Sequence, residues 1–233
     1  MNLANDGAKY GIDQYRFARN YDLMSKSFNI NANGSKYSIT FEGRDKLSFV
    51  FPVSPEKTND FEYECLKIED DTYFVSFGAN VAVLEITCGL ATLLLGKEIV
   101  FGVIEIAGKP VPEQLHALTD EMTGTAVCWM MGCNKYTNHI YFADGKCRAA
   151  WSPEGDKFAV NPTVYIRIKD GIYLVKVEGV IPDSIGAPPG SSSFISLQDY
   201  DHMMFVGCIQ SENAPQMVSG YGEFPEFDKA LFS

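Results

Sequence analysis

Apolar residues in this chain recur at every second position over short runs, and the runs are broken by Gly, Asp and Asn. The stretches "YECLKIEDDTYFVSF" (63–77) and "TVYIRIKDGIYLVKVE" (163–178) each show two such runs hinged on an acidic turn. A period of two sends successive side chains to opposite faces of a strand, whereas an amphipathic helix repeats every 3.6 residues. Helical periodicity is weak along nearly the whole chain, so the pattern predicts an all-β protein with antiparallel neighbours. Strands are expected in eight runs between 25 and 106 and in seven between 123 and 209.

The two halves match in order. Tyr173 follows Tyr73 by 100 positions, as Asp170 follows Asp70. "YSITFEGRDKLSFVF" (37–51) faces "NHIYFADGKCRAAW" (138–151), and "VAVLEITCGLATLLLG" (81–96) faces "SFISLQDYDHMMFVG" (193–207). The offset grows to 111 between Gly96 and Gly207 because the second half inserts "VIPDSIGAPPGSS" (180–192). That insert, rich in Pro and Gly, reads as a loop. Matched blocks in one order point to an internal duplication. A meander of short strands with one apolar face removes its unpaired edges by curling closed. The expected architecture is therefore two tandem lipocalin-like (calycin) antiparallel β-barrels joined by a short linker helix. The boundaries are an N-terminal extension (1–20), a first barrel (21–109), a linker (110–121), a second barrel (122–210) and a tail packed on a barrel (211–233). The helix is expected over "PEQLHALTDEM", with a proline near its first turn.

Composition narrows the function. The 233 residues carry a net charge of −11 and no basic cluster, which speaks against nucleic acid and against an anionic membrane surface. The N-terminus has no basic-then-apolar leader, so a cytoplasmic address is expected. The most apolar stretch, "LATLLLGKEIVFGVIEIAG", is broken by Lys97, Glu98 and Glu105 and reads as strands. Six cysteines lie in apolar runs without metal-ligand spacing, as buried free thiols would, and neither a metal nor a cofactor is expected.

"MTGTAVCWMMGCNKYTNHIYFADGKCRAAW", "VYIRIKDGIYLVKVEG" and "SFISLQDYDHMMFVG" resemble the C-terminal domain of the MoaF (molybdenum cofactor biosynthesis protein F) family. The first half resembles the family's N-terminal domain more loosely. The resemblance implies a pair of calycin-type barrels and no defined activity. Phenolic acid decarboxylases are similar small barrels that use a tyrosine pair, an arginine and a glutamate without a cofactor. At the first strand of each half, where that tyrosine pair would stand, this chain has "SFNIN" and "AVCWM".

Strand parity singles out candidate site residues. A straight hairpin groups Leu66, Ile68, Tyr73, Val75 and Phe77 on one face, and Glu62 and Glu64 with them. A carboxylate inside an apolar barrel loses hydration and becomes a general acid or base near neutral pH, which makes Glu64 a catalytic candidate. A solvated Glu64 at the barrel mouth is the plainer alternative. His139 and Tyr141 share a face as candidate base and electrophile. Matching Phe142 to Phe41 would turn His139 outward, a surface His–Tyr pair. Tyr37, Phe49, Tyr73, Trp129, Trp151 and Tyr173 are candidate ligand contacts, each with an ordinary core or rim role beside it. Asp199, Asp201 and His202 read as a β-turn. The leading expectation is a small-molecule-binding protein holding a planar or aromatic ligand. The alternatives are a cofactor-free lyase, decarboxylase or isomerase using an inward Glu or His with Tyr, and a partner-docking assembly protein with filled barrels. The chain does not distinguish monomer from oligomer.

Overall fold

The alternating runs form seventeen strands in a computed structural model, which describes residues 12, 14–53, 57–152, 158–182, 185–212 and 214–225. The first eight are β1 (Ser27–Ala32), β2 (Ser35–Phe41), β3 (Lys46–Val50), β4 (Thr58–Glu69), β5 (Thr72–Phe77), β6 (Asn80–Glu85), β7 (Leu90–Leu95) and β8 (Glu98–Ile104). After β9 (Ala117–Leu118) come β10 (Ala126–Gly132), β11 (Lys135–Phe142), β12 (Lys146–Trp151), β13 (Phe158–Lys169), β14 (Ile172–Glu178), β15 (Ser193–Asp199), β16 (Met204–Gln210) and β17 (Gln216–Glu223). Each set of eight is an antiparallel meander closed on itself, β1 against β8 and β10 against β17. Turn chemistry helps set the register: Asn33 and Gly34, both at positive φ, make the tight β1–β2 turn.

Both long hairpins carry the same irregularity. The pair Lys67–Tyr73 is followed by Glu69–Thr72, and Arg167–Tyr173 by Lys169–Ile172, which leaves Ile68 and Ile168 as bulges. One extra residue inverts the parity that a straight hairpin implies. Tyr63 and Cys65 therefore point inward with Tyr73, Val75 and Phe77, and Tyr165 with Tyr173, Val175 and Val177. Leu66 and Ile68 point outward instead, into a shared apolar seam.

That seam joins the barrels. Leu66, Phe74, Val83 and Leu94 of the first pack against Ile166, Leu174, Leu197 and Val206 of the second. Burying such side chains is worth about 1.5–3 kcal/mol each, which explains why these strands are apolar on both faces. The N-terminal segment straps the pair, since Tyr15 N donates to Met131 O at 3.0 Å and Asn20 N to Cys65 O at 2.9 Å.

The expected linker helix does not form, and among the described residues there is no α-helix. Ala117 and Leu118 instead pair with Arg167 and Ile166, and His116 is buried between Glu85 and Thr92. An isolated helix shorter than about 12 residues is marginal, and the open side of β13 supplies backbone partners that solvent would otherwise provide. The tail is also more than a covering segment, because Gln216–Glu223 is the strand that closes the second barrel. Residues 1–11 and 13 of the expected extension, 183–184 of the insert and 226–233 of the tail lie outside the described residues. No helix among the described residues is long and apolar enough to cross a membrane.

Candidate functional site

The interiors of the two barrels differ in chemistry. The first is filled by Ile39, Phe41, Leu47, Phe49, Phe77, Leu84 and Leu93, all fully buried. In the second, alternation on β11 turns Thr137, His139 and Tyr141 inward, and β15 contributes Phe194, Ser196 and Gln198. Trp129 enters from β10, where Gly222 makes room: a Cβ on Gly222 would lie 2.3 Å from the indole.

A hydrogen-bonded network runs through this interior. Tyr141 Oη donates to Gln198 Oε1 at 3.1 Å, and Tyr200 Oη donates to the same oxygen at 2.9 Å. Gln198 Nε2 donates to Ser196 Oγ at 2.8 Å. Trp129 Nε1 donates to Tyr141 Oη at 3.4 Å, and His139 Nδ1 lies 3.0 Å from the same oxygen. A phenol has one proton to give. Because Tyr141 spends it on Gln198, the network assigns the proton of His139 to Nδ1 and leaves Nε2 as a bare lone pair.

His139 is 1% exposed, and burial lowers its pKa to about 3, so the ring is neutral at physiological pH. Burial likewise raises Tyr141 and Tyr200 far above the ordinary phenol range. His139 Nε2 and the Thr137 hydroxyl, two positions apart on one inward face, are buried without a hydrogen-bond partner. The imidazole stands edge-on to Trp151 and Phe194, at 6.3 and 5.9 Å between ring centres. Ile181, Ile185 and Ala187 of the insert, with Ile12, belong to the same buried cluster and close the end of the barrel from which β15 begins.

The structure thus gathers His139, Tyr141, Trp129 and Trp151 and places Tyr173 at the opposite end, where its hydroxyl donates to Glu121 at 2.9 Å. His139 faces inward, not outward. The ladder pairs Phe41 with Leu47 and Tyr141 with Cys147, so Tyr141 matches Phe41 at an offset of 100 and Phe142 is on the exposed face. Glu64 is a second correction. It faces out with Leu66, its carboxylate held by Arg16 and, at 2.6 Å, by Arg19, in a cleft of about 580 Å³ between the barrels. Glu62 also faces out and is exposed.

The first-barrel candidates do not converge. Phe49 is core, and Tyr37 lines a cavity of about 420 Å³ at one mouth with Phe51 and Leu95. Tyr73 lies near the other mouth, 3.4 Å from Asp22. Gln198, Ser196, Tyr200 and Thr137 were not anticipated from the chain, since a lone polar residue in a strand gives no sign of what stands across the barrel.

Asp199 builds the β15–β16 turn by accepting from the backbone of Asp201 and His202, at 2.9 and 3.0 Å. Its second oxygen meets His202 Nδ1 at 2.8 Å, and the nearby Glu69 is paired with Lys169. Four cysteines are buried, Cys65 and Cys208 with thiols pushed up to about 12 by burial, while Cys88 and Cys133 are exposed. No protein-family model matches the chain, and no curated protein is similar to it.

Proposed function

We propose that the protein binds a small planar molecule inside its second barrel, as a MoaF-like binding protein. One observation carries this reading: His139 Nε2 and Thr137 Oγ1 are both buried on the inward face of β11 with nothing to bond. An unsatisfied buried polar atom costs about 1–3 kcal/mol, a cost that a bound partner removes. The aromatic walls at Trp129, Trp151, Phe194 and Phe205 suit a flat ligand.

Binding is favoured over cofactor-free lyase or isomerase chemistry. A general base works best with a pKa near the operating pH, whereas His139 is held near 3 and Glu64 lies outside the barrel. The first barrel, apolar and filled, serves as a scaffold that docks the second through the seam. Apolar residues line the interiors and the seam, while Lys46, Lys146 and Arg167 face out. A membrane-spanning barrel has the reverse arrangement, which supports an aqueous setting.

Native mass spectrometry of freshly purified protein, followed by a thermal-shift screen of planar compounds, tests the reading. A ligand at about a hundred times its Kd stabilises by about 2.7 kcal/mol, a rise in Tm of roughly 5–10 °C, and His139→Phe removes that rise. Absence of a co-purified molecule, together with no shift across the screen, would sink it.

A further inference from the structure

We propose that the cleft between the two barrels binds a linear aliphatic polyamine, its ammonium groups held by Asp60, Glu62 and Glu212 and by the Ser76 hydroxyl. This site is separate from the interior of the second barrel and stands whether or not that interior holds a ligand.

Its basis is a cavity with unmatched charge. Among the described residues, the cleft of about 580 Å³ is lined by five carboxylates and one guanidinium, that of Arg19. Glu64 is already neutralised by Arg16 and Arg19. Asp45, Asp60, Glu62 and Glu212 have no ion-pair partner among the described residues. Asp60 accepts from Ser48 Oγ at 3.1 Å, and Lys46, opposite Glu62 in the β3–β4 ladder, lies outside the lining. A concave surface of one sign focuses its field and concentrates ions of the other sign. Ser76 is an independent observation. It lines the cleft from β5, is 3% exposed, and its Oγ makes no hydrogen bond. The Cys208 thiol beside it, pushed up to about 12 by burial, stays protonated and is a weak acceptor. An ammonium has three protons to give, so it satisfies a hydroxyl oxygen and carboxylates together.

Shape selects a polyamine over a metal ion. Asp60 and Glu62 follow each other on the outer face of β4, about 7 Å apart along the strand. One small ion would bridge them only by drawing the two carboxylates together, whereas two amines joined by four methylenes span that separation. Glu212 lines the same cleft from the second barrel. Phe61, Pro215 and Met217 add apolar walls, against which the methylenes of an alkyl amine pack while its charged ends reach the carboxylates.

Isothermal titration calorimetry of the full chain with spermidine, butane-1,4-diamine, butylamine and magnesium tests the site. We expect one spermidine per chain with a Kd about tenfold below that of the diamine, and no saturable binding of butylamine or magnesium at those concentrations. Added salt should weaken the binding by screening the carboxylates. Asp60→Asn with Glu62→Gln, both exposed, should raise the spermidine Kd about tenfold or more. Glu98→Gln with Glu113→Gln removes the same charge from exposed positions elsewhere and should leave the Kd within about twofold. Ser76→Ala should raise it about tenfold through the lost acceptor. Magnesium binding as tightly as spermidine, an equal loss in the two double variants, or an unchanged Kd in Ser76→Ala would each overturn the proposal. So would the absence of saturable heat with spermidine.

Discussion

Removing the Tyr141 hydroxyl affects three partners at once. In Tyr141→Phe, the Nδ1–H of His139 and the indole N–H of Trp129 lose their acceptor, and Gln198 loses a donor. Two orphaned buried donors should lower unfolding stability by about 2–4 kcal/mol, read as a reduced urea midpoint at unchanged slope. Tyr37→Phe, at a half-exposed rim, should stay within about 0.5 kcal/mol of the parent protein. Sequence parity placed His139 and Tyr141 on one face, and that much was legible. Which face it is depends on hairpin register, and a one-residue error in matching Phe41 reverses the answer. Glu64 shows the same sensitivity: the bulge at Ile68 moves it from the interior to a double arginine contact.

At the scale of elements, the insert after β14 is the main difference between the two barrels. In the first, Gly78 and Ala79 alone connect β5 to β6, whereas in the second Ile181, Ile185 and Ala187 seal the equivalent end. Ile185→Ser should loosen that seal and raise the acrylamide quenching of Trp129 and Trp151. Ile104→Ser, buried in the first barrel, should leave quenching unchanged. The insert was visible as a break in the repeat. Its packing was not, because isolated Ile residues among prolines carry no period that reports what they touch. β9 was hidden for a related reason: two residues pair with β13 only because the barrels have already brought their surfaces together.

For the molecule as a whole, the buried Glu85 and the half-buried Asp71 couple stability to pH. Burial raises the Glu85 carboxyl, but its bonds to His116 and Cys88 outweigh this and leave its pKa below the ordinary 4.5. Burial also opposes ionisation of Asp71, again outweighed by bonds from Lys169, Thr87 and Thr72, leaving it below 3.8. Lowered folded-state values mean stability that is complete above these ordinary values and is lost as pH falls through them to the folded pKa. Acidification below about pH 4.5 should therefore destabilise the protein, and Glu85→Gln should flatten that part of the stability–pH curve. Lys169 joins Asp71 at 3.1 Å across the barrels, so Asp71→Asn should flatten the lower part.

The chain by itself determined most of the strands, the duplication and the two barrels, because alternation, turn residues and a repeated order of blocks are local properties of a polymer. Only the tertiary structure decided which barrel carries polar chemistry. Bulges invert faces, the barrels bury each other's outer strands, and the partners of Tyr141 come from residues 129 to 198, far apart in sequence. A hydrogen bond across a barrel depends on closure, and closure is a property of all eight strands together.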